Sequence, residues 1–239
     1  MISSPHRSPD ERPGGALRDL SADVSERAAP SSSRTSSETP GVLVIACGAL
    51  AHELKAIVDL NGLDDLTVEC LPANLHNRPS EIPDAVRARI DRARAVAPER
   101  PILVGYADCG TGGLLDTVVA GYDGVEMLGG AHCYEFFATS PRFAEIQDAE
   151  IGSFYLTDFL VKHFDRMVWE GLGLDRHPEL LPMYFGNYTR CVFLAQSDDA
   201  TLVADAEAAA ERLGLSLLIE RTGYGELETT LVEVGRRPR

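Results

Sequence analysis

Three cysteines stand where a fold would turn them into chemistry. Cys47 ends the apolar run Val42-Leu-Val-Ile-Ala46 and is followed by Gly48. Cys109 follows Ile102-Leu-Val-Gly-Tyr-Ala-Asp108 and opens the turn Gly110-Thr-Gly-Gly113. Cys133 follows His132 and the glycine pair Gly129-Gly130. Each reads as a buried strand running through a glycine turn into a helix start. A thiol at a helix N-terminus has a lowered pKa, and the thiolate is both the nucleophile and the metal ligand. Cys47, Cys109 and Cys133 are therefore expected to form a shared metal site. On one tetrahedral zinc, thiolate sulfurs sit a little under about 4 Å apart, within reach of adjacent strand ends. An iron–sulfur cluster with one open iron also accepts three cysteines. Neither Cys-x-x-Cys nor ferredoxin spacing is present, so spacing does not choose between them.

Other polar groups surround these thiols. His76 lies in the loop Pro72-Ala-Asn-Leu-His-Asn-Arg-Pro79, a place for ligand contacts. His76 and Glu135 are the candidate proton-moving catalytic groups. Asp108, Gly110, Thr111, Gly112, Gly113 and His132 are the candidate ligand-binding residues, because a glycine turn can face its amides to an anion. The turn lacks the Lys-Ser/Thr of a Walker loop, and no dinucleotide fingerprint, Gly-x-Ser-x-Gly elbow or His-Glu-x-x-His is present. Two competing readings stay open. One is a metal-free enzyme with Cys109 as nucleophile and His132 or His76 as base. The other is a non-catalytic module that presents the same cleft to a small ligand or partner. Cys70 and Cys191, inside strands, read as small buried hydrophobes. His52 reads as solvent-facing and His163 as a core histidine.

Alternating elements must position these groups. Periodicity places strands at 42–46, 66–71, 102–106, 125–128, 189–195 and 215–220. Helices are expected at 49–60, 85–95, 114–120, around 133–138, and at 154–169 and 200–213, while 227–234 closes as a strand or a short helix. Such alternation makes an α/β fold: a mostly parallel sheet with helices on both faces, in a three-layer flavodoxin- or Rossmann-like arrangement. With strands one, three and four adjacent, all three thiol-bearing turns fall at strand carboxyl ends, where such sheets bind ligands. Residues 41–235 are expected to form a single domain with a faint echo between its halves at Cys47-Gly48 and Cys109-Gly110. Residues 1–40, rich in Ser, Pro, Arg and Asp, read as a disordered tail.

Charge narrows the partners. The 239-residue chain carries a net charge of −15. Its first 40 residues hold five Arg against six Asp and Glu, leaving about −14 on the rest, which disfavours nucleic acid. No apolar run approaches the roughly 20 residues that span a bilayer, and the N-terminus has no secretory core. Five cysteines without an export signal read as thiols of a cytoplasmic protein whose partner is a small-molecule ligand.

Four motifs together carry a family resemblance: Ala46-Cys-Gly-Ala-Leu50, Leu71-Pro-Ala-Asn-Leu-His-Asn-Arg-Pro79, Tyr106-Ala-Asp-Cys-Gly-Thr-Gly-Gly113 and Gly130-Ala-His-Cys-Tyr-Glu-Phe136. Over 41–235 the chain resembles a family of uncharacterised proteins first noted in methanogenic archaea and found also in bacteria. Its members are often encoded near corrinoid-dependent methyltransferases. The resemblance implies a role in one-carbon or methyl-group metabolism, as an enzyme or as an accessory to those methyltransferases. It carries over Cys47, His76, Asp108, Cys109, Gly110, His132, Cys133 and Glu135, and it names no reaction.

Overall fold

The structure, a computed structural model, describes residues 41–237. The expected disordered tail lies outside the described residues. The chain begins with β1 (Leu43–Cys47), α1 (Ala51–Asn61), β2 (Thr67–Leu71), α2 (Ile82–Val96), β3 (Ile102–Gly105), α3 (Leu114–Val119) and β4 (Val125–Met127). These four strands form a parallel sheet in the order β2-β1-β3-β4. Strands one, three and four are thus neighbours, as the sequence reading requires. β1 and β3 are buried along their whole length. Covered on both faces, they read as unbroken apolar runs rather than as alternating ones.

A second parallel sheet follows. After α4 (Tyr134–Ala138) and α5 (Ser140–Ala149) come β5 (Ser153–Thr157), α6 (Asp158–Lys162), α7 (Leu181–Phe185), β6 (Arg190–Ala195), α8 (Ala200–Leu213) and β7 (Ser216–Arg221), with strand order β5-β6-β7. Both sheets are parallel and flanked by helices. One helix start is plain in the sequence: Asp199 accepts the Thr201 amide at 2.8 Å, and Gly214 ends the same helix in the left-handed region at φ 72°.

The expected helix over 154–169 is corrected. Its first residues are strand β5, paired in register with β6 from Ser153↔Arg190 to Thr157↔Leu194. The apolar positions fit a helical face as well as a strand. Sheet pairing decides, and helix α6 starts only where the Thr157 hydroxyl caps the Leu160 amide at 3.3 Å. Beyond it, Asp165–Trp169 forms a π-helical turn.

The closing segment is a helix, α9 (Gly225–Gly235). Leu227, Leu231 and Val234 lie on one face of it and are buried in the core of the first sheet. Asn61 of α1 donates to Glu228 of α9 at 2.9 Å. The chain therefore returns from the second sheet to the first, and its last helix joins them through the first core. Among the described residues, no helix is long and apolar enough to cross a membrane. Replacing the fully buried Leu231 by Ala is expected to cost about 2–5 kcal/mol in denaturant unfolding, with the loss felt in a single transition. A loss below 0.5 kcal/mol, roughly the scale of surface substitutions, would mean that α9 does not serve as that joint.

Candidate metal centre

Backbone pairing beyond the strand ends builds the site. Leu128 donates to Val104 at 3.1 Å, Asp108 to Gly130 at 3.1 Å, and Cys109 to Ala131 at 3.0 Å. The loops after β3 and β4 thus run side by side past their ladder. To make this path Cys109 adopts φ 49°, in the left-handed region that residues other than glycine seldom occupy. Such backbone strain is found where surrounding structure over-determines it, often at functional sites.

The loop after β2 delivers His76. The register pairs Cys47 with Leu71, so the turn Ala73–Asn77 lies beside the end of β1. Gly48 allows this approach, because a Cβ there would sit 2.8 Å from the Leu71 carbonyl oxygen. His76 Nδ1 then stands 3.4 Å from Cys47 Sγ, and its ring stacks near Tyr106 with centroids 6.3 Å apart. Cys47 Sγ also accepts the Ala49 amide at 3.3 Å.

A ring nitrogen of His76, Cys109 Sγ and Cys133 Sγ all lie within 4.8 Å of one another. This differs from the set read from the sequence. His76, expected to move protons, takes the place expected of Cys47, and Cys47 adjoins the group through the imidazole. Two buried polar atoms beside these thiols, His76 Nε2 and the Tyr106 hydroxyl, have no hydrogen-bond partner among the described residues. Both are near enough to Cys47 and Cys109 for those thiols to shift their pKa values.

Electrostatics bind the group together. Burial opposes the charge on His76, yet the Cys109 and Cys47 thiols hold its pKa up to about 10. A hydrogen bond from the Cys133 thiol lowers the Cys109 pKa, burial opposes the shift, and His76 adds to it, bringing the thiol down to about 5. Cys133 is pushed up by that same hydrogen bond and by burial. Without a metal, these shifts all favour the Cys109 proton passing to His76 while Cys133 keeps its own. Cys70 is raised to about 11, by burial and then by Cys47, and Cys191 to about 12 by burial. Neither belongs to the three-donor group.

The other sequence candidates are engaged elsewhere. Asp108 accepts the amides of Gly113 at 2.7 Å and of Gly110 and Gly112 at 3.2 Å, and the Thr111 hydroxyl at 2.8 Å. These bonds hold its carboxyl below the usual range, the Gly113 amide first. The amides expected to cradle an anion are already satisfied by the loop's own carboxylate. Glu135 accepts the Ala131 amide at 2.5 Å and the His132 amide at 3.3 Å. Its carboxylate braces the loop that carries Cys133 and is not one of the three clustered donors. His132 is exposed, with its ring against Tyr134, and does not join the group. Tyr106 is the group that sequence reasoning passed over. The sequence reading placed it at the end of strand 102–106 and gave it no role, and only its unpartnered hydroxyl marks it.

Beside His76 and Cys133 opens a cavity of about 250 Å³, walled from the first sheet by Leu50 and Phe137 and from the second by Phe154, Phe159, Leu160 and Met167. A larger cleft of about 480 Å³ near α6 and α8 is lined by Lys162, Asp165, Arg166 and Arg212 and contains none of the thiols.

A family model described as a protein of unknown function, DUF1638, matches residues 70–231. The chain belongs to this family. The matched DUF1638 segment contains His76, Cys109 and Cys133 and begins after Cys47. No curated protein and no solved structure matches the chain.

In chelator-treated protein, ultraviolet titration is expected to show a Cys109 thiolate at neutral pH that is lost as pH falls through about 5. Because the folded pKa is depressed below the ordinary thiol value, the stability this thiolate contributes is lost progressively as pH falls from about 9 to about 5. The step should vanish in Cys109→Ala and move upward in His76→Ala. A Cys109 that titrates in the ordinary thiol range would contradict the arrangement.

Proposed function

We propose that this protein holds a single soft metal ion, zinc first among candidates, on His76, Cys109 and Cys133. The observation that carries the reading is the approach of three donors to within 4.8 Å beside two orphaned buried polar atoms. Zinc would draw donors to a little under about 4 Å from one another, a contraction that small side-chain rotations supply. A cubane iron–sulfur cluster fits less well, because each of its ligands binds a different iron and the ligands stand farther apart.

Bound there, the ion would offer Lewis acidity and hold an incoming thiol as its thiolate. The chain's own residues do the rest. His76 and Cys133 place the ion at the wall of the cavity, where a fourth ligand can enter. The Tyr106 hydroxyl remains free to donate to a ligand or an ordered water. Glu135 and Asp108 fix the two loops and so set the distance between Cys109 and Cys133. We place this centre in one-carbon or methyl-group metabolism, beside corrinoid-dependent methyltransferases, on the strength of the family resemblance.

The Cys109–His76 pair supports a second reading, a metal-free cysteine enzyme. In that case His76 is the acid–base partner that holds the Cys109 proton, since His132 faces solvent. Chelation separates the two, because it abolishes metal-dependent activity and spares cysteine catalysis.

The first reading is tested by metal content and thermal unfolding of reconstituted protein. About one zinc per chain is expected, raising Tm by roughly 5–10 °C at free zinc about a hundredfold above Kd. Cys109→Ala, Cys133→Ala and His76→Ala should each lose this shift, and Cys70→Ala should keep it. Zinc that binds without regard to these three residues would sink the proposal.

A further inference from the structure

The cavity beside the thiols carries information about what reaches them. Its walls come from both sheets: Leu50 and Phe137 from the first, Phe154, Phe159, Leu160 and Met167 from the second. Among the described residues, no Lys, Arg, Asp or Glu lines it. The polar groups on it are few, namely His76 and Cys133 of the candidate centre with Asn77, Thr157 and the Tyr134 phenol. The amides that would have received an anion are spent on Asp108. The chain's net charge of −15 further disfavours an anionic visitor.

Burying a carboxylate or ammonium against such walls leaves it without a partner, which is costly, whereas an uncharged apolar body gains from leaving water. Size is informative too. A dry apolar cavity of about 150 Å³ holds benzene, so about 250 Å³ admits a single ring or branched alkyl group with one substituent. Two thiolates and an imidazole make a soft centre suited to a sulfur donor.

Resting on the metal reading above, we infer that the ligand of this site is an uncharged thiol with an apolar body about the size of one ring, its sulfur directed at the His76–Cys109–Cys133 group. On binding, a metal–sulfur bond forms, the S–H bond breaks heterolytically, and the proton leaves to solvent. Neither sulfur nor metal changes oxidation state. Leu160, which reaches the cavity from α6, is a selectivity-determining residue: it faces the ligand's body and has no part in holding the metal.

The test compares three probes of one shape: benzyl mercaptan, its 4-carboxylate analogue and its 4-trimethylammonium analogue. Ligand-observed NMR titrations are run on chelator-treated and on cobalt(II)-loaded full-length protein, and the cobalt–thiolate absorption bands are followed in parallel. The neutral thiol should bind saturably to both forms, more tightly to the loaded one with a change in the cobalt bands. Both charged analogues should bind at least about tenfold more weakly. In Leu160→Lys, checked for folding by circular dichroism, the carboxylate analogue should overtake the neutral one. Equal or tighter binding of either charged analogue to the unsubstituted protein would overturn the inference, as would failure of the neutral thiol to bind either form. Saturable binding that leaves the cobalt bands unchanged would overturn the thiol assignment while leaving the metal reading intact. A protein that takes up no cobalt would instead bring down the metal reading and the thiol assignment together, and the three-probe comparison on the chelated form would still decide whether the cavity excludes charge.

Discussion

Everything at the candidate centre depends on two hydrogen bonds between loops, from the Asp108 amide to Gly130 and from the Cys109 amide to Ala131. They continue the pairing of β3 with β4 past the end of the ladder and force Cys109 into a left-handed backbone conformation. The two carboxylates of the region serve this geometry. Asp108 closes the loop after β3 and Glu135 closes the loop after β4, each by accepting backbone amides. A chain that spends two carboxylates on bracing two loops fixes the separation of the thiols they carry.

The centre also shows why parallel sheets suit such sites. β1 and β3 are central strands, and their carboxyl ends face the same edge, where Cys47 and Cys109 emerge. His76 arrives from the loop after β2 and Cys133 from the loop after β4, so four successive strand ends contribute to one cluster. The second sheet adds no ligand. It supplies the apolar wall, through Phe154 of β5 and Phe159 and Leu160 of α6, that turns an exposed cluster into the side of a cavity. α9 then returns to the first core and ties the two sheets together. The thiols and imidazole thus come from the loops of the first sheet, while both sheets contribute to the enclosure.

Much of this was legible in the sequence, and the failures have physical causes. β1, β3 and the thiols at their ends were legible because central parallel strands are apolar throughout and glycines mark where they stop. The adjacency of strands one, three and four was only supposed from the flavodoxin-like pattern, and the division into two sheets leaves no mark in a linear sequence. β5 was not legible, because Phe154, Leu156, Phe159 and Leu160 satisfy a helical period, and only pairing with β6 shows which period applies. His76 was visible as a polar loop residue. Its place with Cys109 and Cys133 depends on the β1–β2 register and on the room left by Gly48, neither of which a linear pattern records. The glycine turn misled most directly: its composition matches an anion cradle, while the residue just before Cys109 supplies the anion itself.

The central claim is that one ion sits on one imidazole and two thiolates. X-ray absorption at the zinc edge of the reconstituted protein tests it most directly. The account requires a mononuclear shell with two sulfur scatterers at about 2.3 Å and imidazole nitrogen at about 2.0–2.1 Å, the fourth position taken by a light atom or an added thiol. A shell of oxygen and nitrogen alone, or the same spectrum from Cys109→Ala and Cys133→Ala, would contradict it.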